Sequence, residues 1–240
     1  MNSDGVLIFL CVFFCLAALI GGLALIMVPL RSRLAYHLAS PDETEAWAKQ
    51  HNYDYTPLVP GMATQSLDGP VLGTTTSVSH DVIRGKTPAG HDFWSFVMQT
   101  MPTIGQGSLP PMYAWMVAIR LPRQMPMLSV TDKTFGDKVA EALGGHHVTV
   151  DSPAFNQAFH VWCRHPDFAK AFLDPDMTKW LLRQGRAMVP FHITDDNLIW
   201  SHPTTTVHGR MKNRLGLMDQ MYERIPDSIW DAFGRPEEAD

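Results

Sequence analysis

The feature that most constrains this chain is an uninterrupted apolar run over residues 5–30, which contains no charged residue. A helix rises about 1.5 Å per residue, so the roughly 26 residues of this run can cross the hydrocarbon core of a bilayer, which is about 30 Å thick. The run therefore predicts one N-terminal transmembrane helix, and it makes the lipid bilayer the first expected partner of this protein.

A secretory signal peptide is the main alternative interpretation of this run. Such a peptide requires a basic segment, a short apolar segment and a cleavage site with small residues. Residues 1–4 contain an acidic residue and no Lys or Arg, and Val28, Pro29 and Leu30 do not resemble a cleavage site. The apolar run is also about twice as long as a normal signal segment. A retained membrane helix is therefore expected.

Gly21 and Gly22 lie in the middle of the run, and Ala17 and Ala18 precede them by one helical turn. Small residues allow a second transmembrane helix to approach closely, which makes Gly21 and Gly22 candidate contact residues for another membrane helix. Glycine is also frequent in membrane helices in general. The sequence does not decide between these two interpretations.

The flanks of the run predict its orientation. Arg31 and Arg33 follow the run directly, whereas no basic side chain precedes it. Basic flanks remain in the cytoplasm, so the domain after the span is expected to be cytoplasmic. Cys163 is the only cysteine after the span, which excludes an internal disulfide and the disulfide-rich class of secreted domains.

The remaining chain divides into a juxtamembrane linker over residues 31–39, a soluble domain over 40–233 and a charged tail over 234–240. The soluble segment has the length of one domain. It carries no basic run, no interleaving of basic and aromatic residues and no zinc-finger spacing, so nucleic acid is not an expected partner.

Local patterns predict a mixture of strands and helices. Ser40 to Glu43 resembles a capped helix start, and every second residue from Tyr113 to Leu121 is apolar, as in a strand with one buried face. The segment 85–90 contains two glycines between strand-like segments and predicts a hairpin. Further strands are predicted over 53–58, 127–130, 148–150 and 155–163, a second hairpin over 188–202, and further helices over 133–143, 211–225 and after His165 and Asp174.

Antiparallel strands with interspersed helices indicate an α+β fold rather than a doubly wound α/β fold, because the alternation of strand, helix and parallel strand is missing. We expect the transmembrane helix to be followed by one mainly antiparallel sheet of five to seven strands with helices packed on it. Trp115, Ile119, Phe159 and Trp180 lie on the apolar side of their elements and should be buried.

Eleven histidines raise the possibility of a metal site, but they are scattered along the chain. No helical His-x-x-x-His and no Cys-x-x-Cys pair is present. In the predicted hairpin over 188–202, His192 and His202 would face each other, with His208 nearby. These three residues are the candidate metal ligands, and the alternative is that they are exposed hairpin side chains. No motif predicts a cofactor.

The sequence nominates no catalytic residue. Ser79, His80 and Asp81 are neighbours in the chain, which is not the geometry of a catalytic triad, and no Gly-x-Ser-x-Gly motif is present. Gly105 and Gly107 are followed by two prolines, which disfavour the helix that a phosphate-binding loop needs.

The chain contains fourteen methionines, and six of them cluster around the central strands at positions 98, 101, 112, 116, 125 and 127. Methionine fills irregular gaps in a core, and it also forms adaptable apolar surfaces that accept a partner helix or lipid. We prefer the core interpretation.

Four segments of the soluble domain resemble uncharacterised single-pass membrane proteins of actinobacteria. They are Glu-Ala-Trp-Ala-Lys-Gln-His-Asn-Tyr at 45–53, Arg-Leu-Pro-Arg-Gln-Met-Pro-Met-Leu-Ser-Val at 120–130, Asp-Ser-Pro-Ala-Phe-Asn-Gln-Ala-Phe-His-Val at 151–161 and Asp-Pro-Asp-Met-Thr-Lys-Trp-Leu-Leu at 174–182. This resemblance implies an architecture and a membrane location, and it supplies no catalytic residues.

Two classes of function follow from these observations. The preferred class is a membrane-tethered, non-catalytic interaction or accessory module that binds a membrane-protein partner or a second copy of itself within a larger membrane or envelope complex. The alternative is a membrane-anchored enzyme or a ligand or metal sensor that uses the histidine-containing hairpin around His192 and His202.

Overall fold

The computed structural model describes residues 41–60, 77–100, 103–104, 107–108, 112–133, 146–202 and 208–235, all within one compact unit that spans 40–240. The helices are α1 (Pro41–Gln50), α2 (Pro153–Ala158), α3 (Pro166–Phe172), α4 (Pro175–Gln184), α5 (His208–Tyr222) and α6 (Asp227–Phe233). The strands are β1 (Asp54–Pro60), β2 (Ser77–Lys86), β3 (Asp92–Thr100), β4 (Thr103–Ile104), β5 (Gly107–Ser108), β6 (Met112–Asp132), β7 (His146–His147), β8 (Phe159–Cys163) and β9 (Phe191–His202).

Seven of these strands form one sheet in the order β1-β2-β3-β6-β8-β7, and β9 pairs with β6 as well. The two short strands β4 and β5 form a separate ribbon. Every pairing between the described strands is antiparallel. The mixed α+β class with a mainly antiparallel sheet is therefore confirmed.

Strand β6 is the central element of the sheet. Its first half pairs with β3, its second half pairs with β8, and β9 runs beside both halves. The register with β9 shifts between Arg120 and Met125 and again between Met125 and Leu128. Pro122 and Pro126 lie in this region and cannot donate to a strand ladder, which explains the irregularity.

The first face of the sheet packs against helices. Trp115, Val117 and Ile119 of β6 lie on this face and are buried. Tyr53, just after α1, contacts Phe93 edge-on, and α5 places Arg214 over the ring of Trp200. Among the described side chains of α5, the buried apolar ones are Met211, Leu215, Met218 and Met221. The predicted core residues Trp115, Ile119, Phe159 and Trp180 are all buried, which confirms the apolar phase assigned to their elements.

The second face of the sheet carries an apolar cluster that spans five strands. Among the described residues, its buried members are Val82, Phe96, Met98, Met116, Ala118 and Ile199, with Val59, Trp94 and Ala114 packed against them. All of these residues belong to strands. Met98 and Met116 are therefore core residues, as the preferred interpretation of the methionines predicted.

Sequence signals located several element ends correctly. Asp174 caps α4 by accepting a hydrogen bond of 2.7 Å from the Met177 N–H, and Pro175 occupies the first turn. Gly185 ends the same helix with a φ of 54°, a left-handed conformation that glycine adopts without strain. The predicted hairpin at 85–90 is also present, because β2 and β3 flank it.

Four local predictions need correction or lie beyond the description. Residues 148–150 do not form the predicted strand, and the short strand β7 lies just before them at His146–His147. Residues 153–158 form helix α2 rather than a strand, because Ser152 caps this segment and Asn156 hydrogen-bonds both polar groups of the Val150 backbone. The segment 188–202 is not a hairpin, because β9 is one strand. The helix predicted over 133–143 falls almost entirely outside the described residues.

In the part of the chain that the structure describes, no helix is long and apolar enough to span a membrane. The predicted span over 5–30, the linker over 31–39 and the candidate contact residues Gly21 and Gly22 all lie outside the described residues. They remain predictions from the sequence.

Candidate functional site

The candidate metal ligand His192 is a buried residue rather than an exposed hairpin side chain. Only 6% of it is exposed, and its Nδ1 lies 2.9 Å from the Ser129 hydroxyl on β6. Burial lowers its pKa to about 4, because the charged imidazolium would lose its hydration. His192 is therefore a neutral member of the sheet interior at physiological pH.

His192 and His202 occupy the two ends of the same strand, β9. Ten residues of extended strand separate them by roughly 30 Å, since a strand rises about 3.3 Å per residue. Asp195 has a φ of 49° and, with Asp196, lies within β9 instead of forming the turn of a hairpin. The strand continues through a local irregularity at Asp195 and does not reverse its direction, so His192 and His202 do not meet.

The metal prediction thus loses the geometry on which it was based. Among the described residues, no group of three or more His, Cys, Asp or Glu side chains is arranged to hold a metal ion. His208 begins α5, the element that follows His202 in the structure. The candidate His202 belongs to a polar cluster, which we call the β9–α5 cluster and define as Trp200, His202, Arg210 and Arg214.

The β9–α5 cluster is built on the indole of Trp200. This side chain is 2% exposed and contacts Trp115 edge-on, with a ring-centroid distance of 5.3 Å. His202 stacks beside Trp200 with ring centroids 5.7 Å apart. The guanidinium carbon of Arg214 lies 3.3 Å from the centroid of the Trp200 ring, in cation–π geometry.

Arg214 is held in this position by the segment that follows α4. Its Nη1 donates to the carbonyl oxygen of Ala187 and lies 3.4 Å from the sulfur of Met188. Burial lowers the pKa of Arg214 to about 10, a value at which the guanidinium remains charged at neutral pH. The structure thus places the charged guanidinium of the half-buried Arg214 against the ring of Trp200.

The charges of Arg210 and Arg214 both act on His202. Burial, followed by the charges of Arg214 and Arg210, lowers the pKa of His202. The ion pairs formed by other described arginines lie elsewhere, between Arg120 and Asp196 and between Arg123 and Asp231. Among the described residues, no carboxylate forms an ion pair with Arg210 or Arg214.

Two hydrogen-bond donors in the cluster lack acceptors. The Nε of Arg214 and the Nε1 of Trp200 are buried, and neither has a hydrogen-bond partner within the part of the chain that the structure describes. A buried donor without an acceptor costs about 1–3 kcal/mol, and native structures keep few of them. The β9–α5 cluster therefore combines unopposed positive charge with unused donors, a combination that suits a negatively charged oxygen ligand.

Sequence reasoning identified His202 but missed Arg210, Arg214 and Trp200. A signal was present, because Arg210 and Arg214 are spaced by four residues and directly precede Met211 and Leu215, two apolar residues of the predicted helix. The sequence analysis did not pair this helix with Trp200, because the hairpin prediction divided β9 into two strands.

The other polar trio that the sequence drew attention to does not form a catalytic arrangement. The Ser79 hydroxyl is buried without a hydrogen-bond partner, whereas His80 contacts the side chain of Gln99 at 2.8 Å. Asp81 accepts a hydrogen bond of 2.8 Å from the Tyr55 hydroxyl. Each side chain thus has a different environment.

Comparison with solved structures shows a similarity of fold. No protein-family model matches the chain, and no curated protein is significantly similar to it. The structure is similar to the crystal structure of the mycobacterial trehalose monomycolate transport factor A, TtfA, with a TM-score of 0.56 and 11% sequence identity over 82% of this chain and 98% of that chain. At this identity the similarity establishes a shared fold.

Proposed function

We propose that this protein is a membrane-tethered accessory module that binds a membrane-protein partner, or a second copy of itself, within a transport system of the membrane or envelope, and that it is not itself an enzyme. The observation that carries the proposal is the fold similarity to TtfA, which includes 98% of that chain. The solved neighbour is named as a transport factor, a term compatible with an accessory role.

The sequence supports the tethering part of this proposal. The apolar run over 5–30 is long enough to cross a bilayer, and Arg31 and Arg33 favour a cytoplasmic soluble domain. A module held at the membrane surface is confined near its membrane partner, so even a weak contact becomes effective through a high local concentration.

The test is purification of the full chain from its native membranes in a mild detergent, followed by identification of the proteins that remain bound. We expect either a membrane transport protein or a homo-oligomer in stoichiometric amount. A wild-type chain that purifies alone and monomeric, under conditions in which other membrane complexes survive, would contradict the proposal.

Two anchor variants sharpen this experiment. Gly22→Leu adds bulk on the small-residue face and should weaken the complex, because the larger side chain holds two helix backbones apart. Leu16→Phe adds bulk on the opposite side of the helix, about 140° from Gly21 and about 120° from Gly22 at 100° per residue, and should leave the complex intact. Equal retention of the partner by both variants would assign the contact to the soluble domain.

A further inference from the structure

We infer that the β9–α5 cluster is a binding site for a phosphate group, held by Arg210, Arg214 and His202 with Trp200 as its base. The inference rests on the geometry of this cluster alone and is independent of the proposed function. The ligand chemistry is a phosphate oxyanion, which is present both in free phosphate compounds and in the headgroups of anionic phospholipids.

The donor set is the first argument. Arg214 Nε and Trp200 Nε1 are both donors, both are buried, and no described residue supplies an acceptor to either of them. The two side chains are in direct contact, with the guanidinium carbon 3.3 Å from the ring centroid. Acceptor oxygens are what these two donors lack, and a phosphate group supplies several, whereas a cation or an apolar ligand supplies none.

Charge is the second argument. Arg210 and Arg214 both act electrostatically on His202, and no described carboxylate forms an ion pair with either arginine. Within a chain of net charge −5, this local concentration of positive charge is not a consequence of overall composition. Arginine is well suited to phosphate because its planar donors match two phosphate oxygens at once.

Access is the third argument. Arg210 is exposed, and Arg214 is half-buried, so an anion can approach the cluster from solvent. The carbonyl oxygen of Ala187 and the sulfur of Met188 both accept from the Nη1 of Arg214 and fix the position of this side chain. The guanidinium is thus positioned before any ligand arrives, which reduces the entropy lost on binding.

The experiment uses the full chain in an uncharged detergent. In one arm, inorganic phosphate is titrated by calorimetry against a chloride control of equal ionic strength. In the other arm, the micelles are doped with phosphatidylglycerol or with phosphatidylcholine, and the thermal unfolding midpoint is followed. Saturable binding of inorganic phosphate identifies a free phosphate compound as the ligand class, and a saturable response to phosphatidylglycerol alone identifies a lipid headgroup.

Three variants decide whether the cluster is responsible. Arg214→Gln and Arg210→Gln should each weaken binding roughly tenfold or more, since each removes a charged donor. Lys212→Gln removes the same charge from an exposed position of the same helix and should leave binding unchanged. If Arg214→Gln does not fold, Arg210→Gln decides, because Arg210 is exposed.

Absence of saturable binding in both arms would overturn the inference. An equal loss of affinity in Lys212→Gln and Arg210→Gln would also overturn it, since that result would indicate general electrostatic attraction rather than a site.

Discussion

The imidazole of His91 and the carboxylate of Asp219 join the β2–β3 hairpin to the C-terminal half of α5, with His91 Nδ1 and Asp219 Oδ1 3.0 Å apart. The second carboxylate oxygen of Asp219 accepts a hydrogen bond of 3.1 Å from the Ala89 N–H. Tyr222 covers the same imidazole, with ring centroids 3.9 Å apart. One buried carboxylate thus connects α5 to the β2–β3 hairpin, although Asp219 and His91 lie 128 residues apart in the chain.

The first prediction concerns this contact. Asp219→Ala should lower the free energy of unfolding by about 1–3 kcal/mol, because the Ala89 N–H and His91 lose their acceptor in a buried position. The measurement is urea unfolding of the 36–240 fragment. Glu223→Ala, one turn further on and exposed, is the control and should stay within about 0.5 kcal/mol of the wild type. Equal losses in the two variants would contradict a role for the His91 contact.

The second prediction concerns pH and His192. The pKa of His192 is lowered to about 4 in the folded protein, against an ordinary value of 6.5. Above pH 6.5 the residue is neutral in both states, and as the pH falls from 6.5 toward 4 the unfolded state alone gains the proton. Folding stability should therefore fall in this interval by about 1.4 kcal/mol per pH unit from this group, or about 3 kcal/mol in total.

The measurement for His192 is urea unfolding of the same fragment from pH 7.5 to 4.5. His192→Gln should be less stable than the wild type at pH 7.5 and should show a shallower loss of stability on acidification. The exposed His146 provides the matched control, and His146→Gln should follow the wild-type curve. Parallel curves for His192→Gln and the wild type would show that His192 does not titrate below its ordinary pKa.

The third prediction concerns the core of the helix-bearing face. Trp115 is 1% exposed, donates a hydrogen bond of 2.7 Å to the Ser95 hydroxyl and contacts Trp200. Trp115→Ala should cost about 3–5 kcal/mol of unfolding free energy, because a large cavity forms and a buried hydroxyl loses its partner. Leu58→Ala, at a side chain that is 48% exposed, should cost far less. Chemical unfolding of the two variants checks this order.

The fourth prediction concerns orientation in the membrane. An Asp240→Cys variant of the full chain, with the three native cysteines replaced, should react with a membrane-impermeant thiol reagent only after the cells are permeabilised. This outcome follows from Arg31 and Arg33, which favour a cytoplasmic location for everything after the span. Labelling of intact cells would reverse the orientation and place the soluble domain on the envelope side.

The fifth prediction concerns zinc. His192 is buried and neutral, and the strand that carries both residues places His202 far from it. Added zinc should therefore leave the thermal unfolding midpoint of the 36–240 fragment unchanged, and His202→Ala should not alter that result. A strong rise with zinc that is lost in both His192→Ala and His202→Ala would restore the metal interpretation.

The errors in the sequence interpretation around β9 have a common physical cause. Asp195 and Asp196 are typical of turns, and a turn there implied that the flanking strands pair with each other. In the folded protein both halves of β9 pair with β6, because a long neighbouring strand offers more hydrogen bonds than a short hairpin does. The exposure expected for His192 failed for the same reason, since the pairing with Ser129 places it inside the sheet.

Local signals in the sequence were sufficient for much of the fold. The caps and apolar spacing of α4, the alternation around Trp115 and the glycine-bounded turn at 85–90 each depend on contacts between near neighbours in the chain, so the sequence alone predicts the α+β class and most of its core. The contact between Arg214 and Trp200, the link from His91 to Asp219 and the separation of His192 from His202 depend on which distant elements pack together. That choice is made by the burial of whole faces and the pairing of β6 with β9, which no local pattern encodes, and only the tertiary structure decided it.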